Sequence, residues 1–232
     1  MGRLQPAHFA YYKAKEEMAM HLFTDRHEAG MLLAEKMQDL KGQAPLFLAI
    51  PRGGVAVAHP LVQAIGGQLD LIIPRKIPSP LNRELGVGAV TGEGDLLLDE
   101  ELIQRLGISR RYLEQEIQRQ KQEIQRRLEK YRGCRPQTQV RDRVVVVVDD
   151  GVATGFTTRA ALEAVQRQKP RQLILAVPVG PPAVIASFRT WVERVEVLAT
   201  PSPFYAVAQF YKHFGQCSDI EVCSLLREQN LN

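Results

Sequence analysis

Cysteine is scarce in this sequence, and long apolar runs are missing. Three cysteines occur among 232 residues, and no two of them form a CxxC pair. Neither a disulfide framework nor a zinc site is indicated. The longest apolar stretch, 173–186, is interrupted by three prolines and a glycine and falls short of the roughly 18 residues that a membrane-spanning helix needs. The start of the chain lacks the pattern of a signal peptide, so we predict a cytoplasmic protein without a membrane span.

The sequence also has little excess charge of either sign. Thirty lysines and arginines stand against 26 aspartates and glutamates, which gives a net charge of +4. An excess this small does not by itself indicate nucleic-acid binding. It is also local, because segment 109–132 contains eight basic and four acidic side chains, an excess equal to that of the whole chain.

Short runs of valine, isoleucine and leucine alternate with segments of helical periodicity. Candidate strands lie at 46–50, 69–74, 143–148, 172–177 and 195–200, and candidate helices at 25–40, 55–65 and 157–168. Continuous apolar strands are typical of a parallel sheet that is covered on both faces. The pattern therefore predicts a doubly wound, Rossmann-like α/β domain over residues 24–232, preceded by an N-terminal arm, 1–23.

Two segments interrupt this alternation. Segment 76–91 is rich in proline and glycine, which predicts a long loop that leads into an extra strand and acts as a lid. Segment 99–132 predicts two inserted helices. The second carries an apolar stripe that we expect to pack against the domain or against a second subunit, and it consists of Leu113, Ile117, Ile124, Leu128 and Tyr131.

The run Val144–Val148 ends in two adjacent carboxylates, Asp149 and Asp150, and a turn rich in glycine and threonine follows. In open α/β sheets, ligands bind beyond the carboxyl ends of the strands. A turn that opens a helix presents N–H groups to a phosphate, while two carboxylates suit hydroxyl groups or a metal. A sugar phosphate fits this combination, whereas a Walker lysine and a GxGxxG motif are both missing. The alternative is that the acids only end a strand and cap a helix.

This segment resembles the signature of the type I phosphoribosyltransferase family, in which a hydrophobic strand, two acidic residues and a phosphate loop follow one another. The resemblance implies a parallel sheet with a small hood, here from about residue 200. It also implies that Asp149 and Asp150 bind the ribose hydroxyls of phosphoribosyl pyrophosphate and, directly or through water, Mg²⁺. The phosphate would bind to the loop made of Gly151, Val152, Ala153, Thr154, Gly155, Phe156 and Thr157.

A second match follows the first strand. Pro51, Arg52, Gly53 and Gly54 stand where the family has its pyrophosphate loop. Arg52 would then donate to pyrophosphate while the glycines let the backbone approach it; otherwise the four residues form a plain turn. The lid would bring Lys76 and Arg83 to the pyrophosphate or the transition state, and Glu84 is a candidate acid or base. The alternative for these three is a solvated loop.

The acceptor is less well defined. Ala153 stands where the 6-oxopurine branch has an acid, which argues against hypoxanthine or guanine, and Ala-Thr-Gly looks more like the adenine and uracil branches. Phe204 and Tyr205, in the expected hood, are candidates for stacking on a base, or they belong to the hood core.

The resemblance implies a Mg²⁺-dependent enzyme that transfers ribose 5-phosphate from phosphoribosyl pyrophosphate to a nucleobase or related nitrogen nucleophile and releases pyrophosphate. A homodimer is expected from the family and from the apolar stripe. The alternative is a non-catalytic regulator that senses phosphoribosyl pyrophosphate or a nucleotide and binds nucleic acid or a protein partner. The basic segment 109–132 motivates it, although we interpret that segment as a solvated face of mixed charge and do not expect nucleic-acid binding.

Overall fold

A five-stranded parallel sheet forms the centre of the molecule. The structure is a computed structural model and describes residues 21–83, 85–91, 96–133 and 138–229. Its strands are β1 (Leu46–Ala49), β2 (Gln68–Leu71), β3 (Arg75–Pro78), β4 (Gly86–Val90), β5 (Leu96–Leu98), β6 (Val144–Val148), β7 (Gln172–Val179) and β8 (Arg194–Ala199). The parallel sheet has the order β2-β1-β6-β7-β8. All five valines of β6 are buried, which explains the absence of polar alternation in that run.

Helices cover both faces of this sheet. They are α1 (Arg26–Lys36), α2 (Gly53–Ile65), α3 (Glu100–Arg105), α4 (Arg110–Arg132), α5 (Phe156–Arg167), α6 (Pro182–Phe188) and α7 (Asp219–Glu228). Side chains of α1 and α2 share a core with alternate residues of β1 and β6, while α5 and α6 pack with the residues between them. The doubly wound parallel sheet predicted from the sequence is therefore confirmed.

The first helix ends earlier than its periodicity predicts. Asp25 caps it as expected, because its side chain accepts a hydrogen bond of 2.9 Å from the Glu28 N–H. The α-helix stops at Lys36, however, and a 3₁₀ turn over Gln38–Leu40 follows. This tighter turn keeps Leu40 buried, so the apolar spacing is satisfied without a longer α-helix.

Half of segment 76–91, predicted as a long loop that leads into an extra strand, lies on β3 and β4, and these two strands form an antiparallel sheet with β5. Only seven residues, 79–85, separate β3 from β4. The predicted extra strand is present as β4, but the loop before it is shorter than predicted, because Gly86 and Gly88 belong to the strand. Each allows a close contact within the sheet: a Cβ atom on Gly86 would lie 2.9 Å from the Lys76 side chain, and one on Gly88 would lie 2.4 Å from the Leu97 carbonyl oxygen.

Helix α4 packs against the chain itself. Leu113, Ile124 and Tyr131 of its apolar stripe are buried, and the helix contacts β3 and α7. Of the two predicted partners for the stripe, the structure therefore provides the domain. One of the two reasons for expecting a dimer is thereby removed, and the other, the family resemblance, stays a prediction.

Helix α6 was not predicted from the sequence. Its run of small and apolar residues follows two prolines, which suggested a break. Pro182 is the first residue of the helix, a position where the missing N–H is not needed and the fixed φ angle favours the helix.

Within the described parts of the chain, no helix is both long and apolar enough to cross a membrane.

The packing of α4 gives a test of the fold. We expect Ile124→Ala to lower the free energy of unfolding by about 2–5 kcal/mol, because it opens a cavity at a fully buried position. Urea unfolding measures the change, and the exposed Gln115→Ala variant on the same helix should stay within about 0.5 kcal/mol of the original protein. A loss that depends on protein concentration would show instead that the stripe is covered by another subunit.

Candidate active site

Two carboxylates lie at the carboxyl end of β6, near the middle of the parallel sheet. The Asp150 N–H donates to Asp149 Oδ1 at 2.9 Å. Burial raises the pKa of Asp149 well above its ordinary value, and the neighbouring charge of Asp150 raises it further. Burial also raises the pKa of Asp150, although its ion pair with Arg26 opposes this shift. The pair is thus a poorly solvated acidic site that favours hydrogen-bond donors or a cation.

Arg26 forms an ion pair with Asp150 of this pair. Its Nε donates to Asp150 Oδ2 at 2.7 Å, and its Nη1 donates to the Gly215 carbonyl oxygen at 2.9 Å. The guanidinium carbon lies 3.8 Å from the centroid of the Phe214 ring, so the group is both hydrogen-bonded and stacked. Arg26 was not predicted as a site residue, because a partner 124 residues away leaves no local pattern in the sequence.

The main chain at the acidic pair is held by Tyr211. Its hydroxyl donates to the Asp150 carbonyl oxygen at 2.6 Å, and its ring lies 5.2 Å from that of Phe23 and 5.0 Å from that of Phe214. Burial raises the pKa of Tyr211, so the hydroxyl remains a donor. The segment after residue 200, expected to form a hood, therefore packs beside the acidic pair.

The turn after the acidic pair opens α5. Gly151 and Gly155 both have positive φ angles, and a Cβ atom on Gly155 would lie 2.8 Å from Val184 Cγ1. Gly155 is the N-cap of α5 and supplies no side-chain hydrogen bond to the helix. The first N–H groups of α5 consequently have no side-chain cap, which leaves them available to an anion.

The other residues of the predicted phosphate loop divide into two groups. Ala153, Thr154, Phe156 and Thr157 are exposed at this end of the sheet. Val152 is buried, and its N–H donates to the Val179 carbonyl oxygen at 2.9 Å. Its role in the structure is thus to anchor the turn.

The loop after β1 lies directly against the acidic pair. A Cβ atom on Gly53 would lie 1.9 Å from Asp150 Oδ2, and one on Gly54 would lie 2.6 Å from the Val148 carbonyl oxygen. Glycine is therefore required at both positions. The Pro51–Gly54 segment packs directly against the end of β6 that carries the acidic pair. Arg52 is 40% exposed, and its Nη1 lies 3.7 Å from Asp219 Oδ1 at the start of α7.

The remaining predicted residues lie at different distances from this centre. Lys76 lies on β3 and lines two cavities, of about 380 and 410 Å³, that also share Thr157. Arg83 lines the larger one, and Glu84 lies outside the described residues. Phe204 packs against Phe210 with ring centroids 4.9 Å apart, whereas Tyr205 is 82% exposed.

The site also indicates which residues suit a metal ion. In the described parts of the chain, no group of three or more His, Cys, Asp or Glu side chains is arranged to hold one. Asp149 and Asp150 nevertheless offer carboxylate oxygens. Mg²⁺ is commonly held by one or two carboxylates together with substrate phosphates and water, so the donor set fits this ion.

Comparison with known proteins finds relatives of this chain. The family model of the phosphoribosyl transferase domain matches residues 93–204. A protein named "Putative phosphoribosyl transferase" occurs in two strains of Mycobacterium tuberculosis. It is 37% identical to this chain over 207 residues, which cover 89% of this chain and 47% of that protein. The chain thus spans about half the length of these curated relatives. TT1426 from Thermus thermophilus, known from a crystal structure, has a sequence 40% identical to this one. The two structures match with a TM-score of 0.78 over 89% of this chain and 98% of that chain.

The fold is a doubly wound α/β sheet that carries two glycine-containing segments at the carboxyl end of its strands. With the matches to the domain and to its named relatives, the chain belongs to the type I phosphoribosyltransferase family. The family assigned from the sequence is therefore confirmed, while the roles of the individual site residues stay predictions.

The raised pKa of Asp149 predicts a pH dependence of stability. The folded protein holds a proton on this carboxyl more tightly than the unfolded chain does, so stability should fall as the pH rises above the ordinary value of 3.8. Asp149→Asn keeps an oxygen for the Asp150 N–H and removes the buried charge. Without ligand or metal, it should be more stable than the original protein at pH 7 and lose this advantage towards pH 4.

Urea unfolding at several pH values measures the difference. The exposed Asp142→Asn variant is the control and should follow the original protein at every pH. An advantage of Asp149→Asn that grows as the pH falls would contradict the raised pKa.

Proposed function

We propose that this chain is a Mg²⁺-dependent phosphoribosyltransferase. It transfers ribose 5-phosphate from phosphoribosyl pyrophosphate to a nitrogen nucleophile and releases pyrophosphate. In this step the bond between the anomeric carbon and the pyrophosphate oxygen breaks, a carbon–nitrogen bond forms, and the bonding electrons leave with pyrophosphate. The transition state has oxocarbenium character, so charge and positioning provide the catalysis.

The main support is the close approach of the two loops. Gly53 lies against the Asp150 carboxylate so tightly that no side chain fits between them, and the uncapped N-terminus of α5 follows the same acidic pair. A ligand with a phosphate at one end, a diphosphate at the other and ribose hydroxyls between them matches these three features in one place. Each loop alone would also fit a plain turn.

The chain's residues then have distinct tasks. The Asp149 and Asp150 carboxylates accept hydrogen bonds from the ribose hydroxyls and are the residues that would hold Mg²⁺, which when bound neutralises charge on the pyrophosphate. Arg26 holds the Asp150 carboxylate in place, and the start of α5 binds the 5′-phosphate. Arg52, 40% exposed and only 3.7 Å from a carboxylate, has room to turn towards pyrophosphate.

The acceptor is defined only by class. Ala153 offers no acid where the 6-oxopurine branch has one, and its exposed methyl group cannot replace it. Tyr205 has an exposed ring available for stacking, whereas Phe204 packs against Phe210. We therefore propose an acceptor other than hypoxanthine or guanine, and Tyr205 is the better candidate for contact with it. A cytoplasmic location and a homodimer belong to the same proposal.

The proposal predicts that Asp150→Asn lowers turnover by about 100-fold or more, because the carboxylate charge beside the ribose and the metal is lost. Pyrophosphate release is measured with phosphoribosyl pyrophosphate, Mg²⁺ and pools of bases and other amines. The Asn side chain keeps an oxygen for Arg26, so folding should be preserved, and circular dichroism checks this. Asp142→Asn, on the surface, should leave turnover unchanged.

The possible outcomes separate the two candidate functions. Release that requires one acceptor and is lost in Asp150→Asn establishes a transferase and identifies its acceptor. Unchanged turnover in this variant would refute the assigned site. Absence of turnover together with intact binding of phosphoribosyl pyrophosphate would favour the regulator.

A further inference from the structure

The inserted helix α4 is tied at both ends to elements near the candidate site. Near its start, the Tyr112 hydroxyl donates to the Pro78 carbonyl oxygen on β3 at 2.9 Å. Near its end, the Tyr131 hydroxyl donates to Asp219 Oδ1 at 2.6 Å, and that same oxygen lies 3.7 Å from Arg52 Nη1. The helix is therefore fixed at one end to the small antiparallel sheet and at the other beside the Pro51–Gly54 loop.

A cavity of about 410 Å³ lies between this helix and the end of the parallel sheet. Pro51 and Thr157, one from each of the two loops of the candidate site, are in its wall. The cationic side chains in the wall are Arg75, Lys76, Arg83, Arg119 and Arg127. Among the described residues, no aspartate or glutamate lines the cavity. Arg119 and Arg127 of α4 are in this wall, and the Arg119 side chain is also 53% exposed, in agreement with the solvated face of mixed charge expected from the sequence.

The arginines of the cavity are held by a second row of polar side chains. Arg75 Nε donates to Gln120 Oε1 at 2.9 Å. The Glu116 carboxylate accepts two hydrogen bonds from Arg119, at 3.0 and 2.7 Å. Gln120 and Glu116 are both buried, so the acceptors of Arg75 and Arg119 are held by the packing around them. Arg127 is paired in the same manner, with its Nε donating to Glu123 Oε1 at 2.8 Å.

These ion pairs leave an excess of positive charge. Each carboxylate occupies part of a guanidinium that has five N–H donors. Burial lowers the pKa of Arg75, and the positive charge of Arg127 lowers it further. The carboxylates of Glu123 and Glu116 raise this pKa but do not offset the decrease. Cations held close together in a cavity are stabilised by a multivalent anion, and guanidinium groups bind phosphate oxygens through paired hydrogen bonds.

We infer that Arg75, Arg119 and Arg127 form a receptor for the diphosphate group of the substrate, so that the inserted helix α4 is part of the substrate site. The inference rests on the proposed function, since it assigns the pyrophosphate end of that ligand. The cavity lacks an aromatic ring among its described lining residues, which suits a diphosphate better than a base. The opposite end of the ligand, the 5′-phosphate, belongs at the start of α5.

Separate probes for the two ends of the ligand test this inference. Binding of inorganic pyrophosphate, of ribose 5-phosphate and of phosphoribosyl pyrophosphate, each with Mg²⁺, is measured by titration calorimetry. Arg75→Gln and Arg127→Gln should each weaken pyrophosphate binding by about tenfold or more, as expected for hydrogen bonds between charged groups. Affinity for ribose 5-phosphate should change less than about twofold. Arg127→Lys should retain more affinity for pyrophosphate than Arg127→Gln does, because the charge remains.

The control is Arg111→Gln, an exposed arginine on the same helix outside the cavity, which should bind all three probes as the original protein does. Thermal unfolding shows whether each variant is folded. Unchanged pyrophosphate affinity in both Arg75→Gln and Arg127→Gln would overturn the inference. Simultaneous binding of pyrophosphate and phosphoribosyl pyrophosphate would also overturn it, because the cavity would then hold a separate effector. Displacement of pyrophosphate by duplex DNA would overturn it as well.

Failure of the proposed function gives a different result. If pyrophosphate binds in a manner that depends on these arginines but phosphoribosyl pyrophosphate does not bind, the diphosphate receptor is upheld and the transferase proposal fails.

Discussion

The Asp150 carboxylate is held where water solvates it poorly, and much of the surrounding structure compensates for this burial. Arg26 supplies the opposite charge at 2.7 Å, and Phe214 and the Gly215 carbonyl oxygen fix that arginine. Tyr211 holds the main chain of the aspartate. The N-terminal helix, the central sheet and the segment after residue 200 thus meet at one charged group. A buried charge without such partners would be strongly destabilising.

The same constraint shapes the neighbouring loop. Asp150 approaches the Pro51–Gly54 turn so closely that the turn has no space for a side chain at Gly53. Packing against Asp150 thus requires glycine at this position, which is why a short glycine motif is informative here.

The sequence was most reliable where the physical signal is local. Burial on both faces makes a strand continuously apolar, and the run Val144–Val148 accordingly predicted its strand correctly. The length of the loop before β4 was mispredicted because glycine occurs both in loops and in close contacts between strands, and only the pairing of β3, β4 and β5 distinguishes the two.

By itself, the sequence determined the doubly wound sheet, the acidic pair at the end of a strand and the two glycine-containing loops, because each depends on residues close together in the chain. Only the tertiary structure decided that Arg26 pairs with Asp150 and that α4 packs on its own domain. It also placed Arg119 and Arg127 in the wall of a cavity, which the periodicity of α4 does not reveal. Contacts between residues more than a hundred positions apart, such as Arg26 and Asp150, follow from how the layers pack and have no periodic signature in the chain.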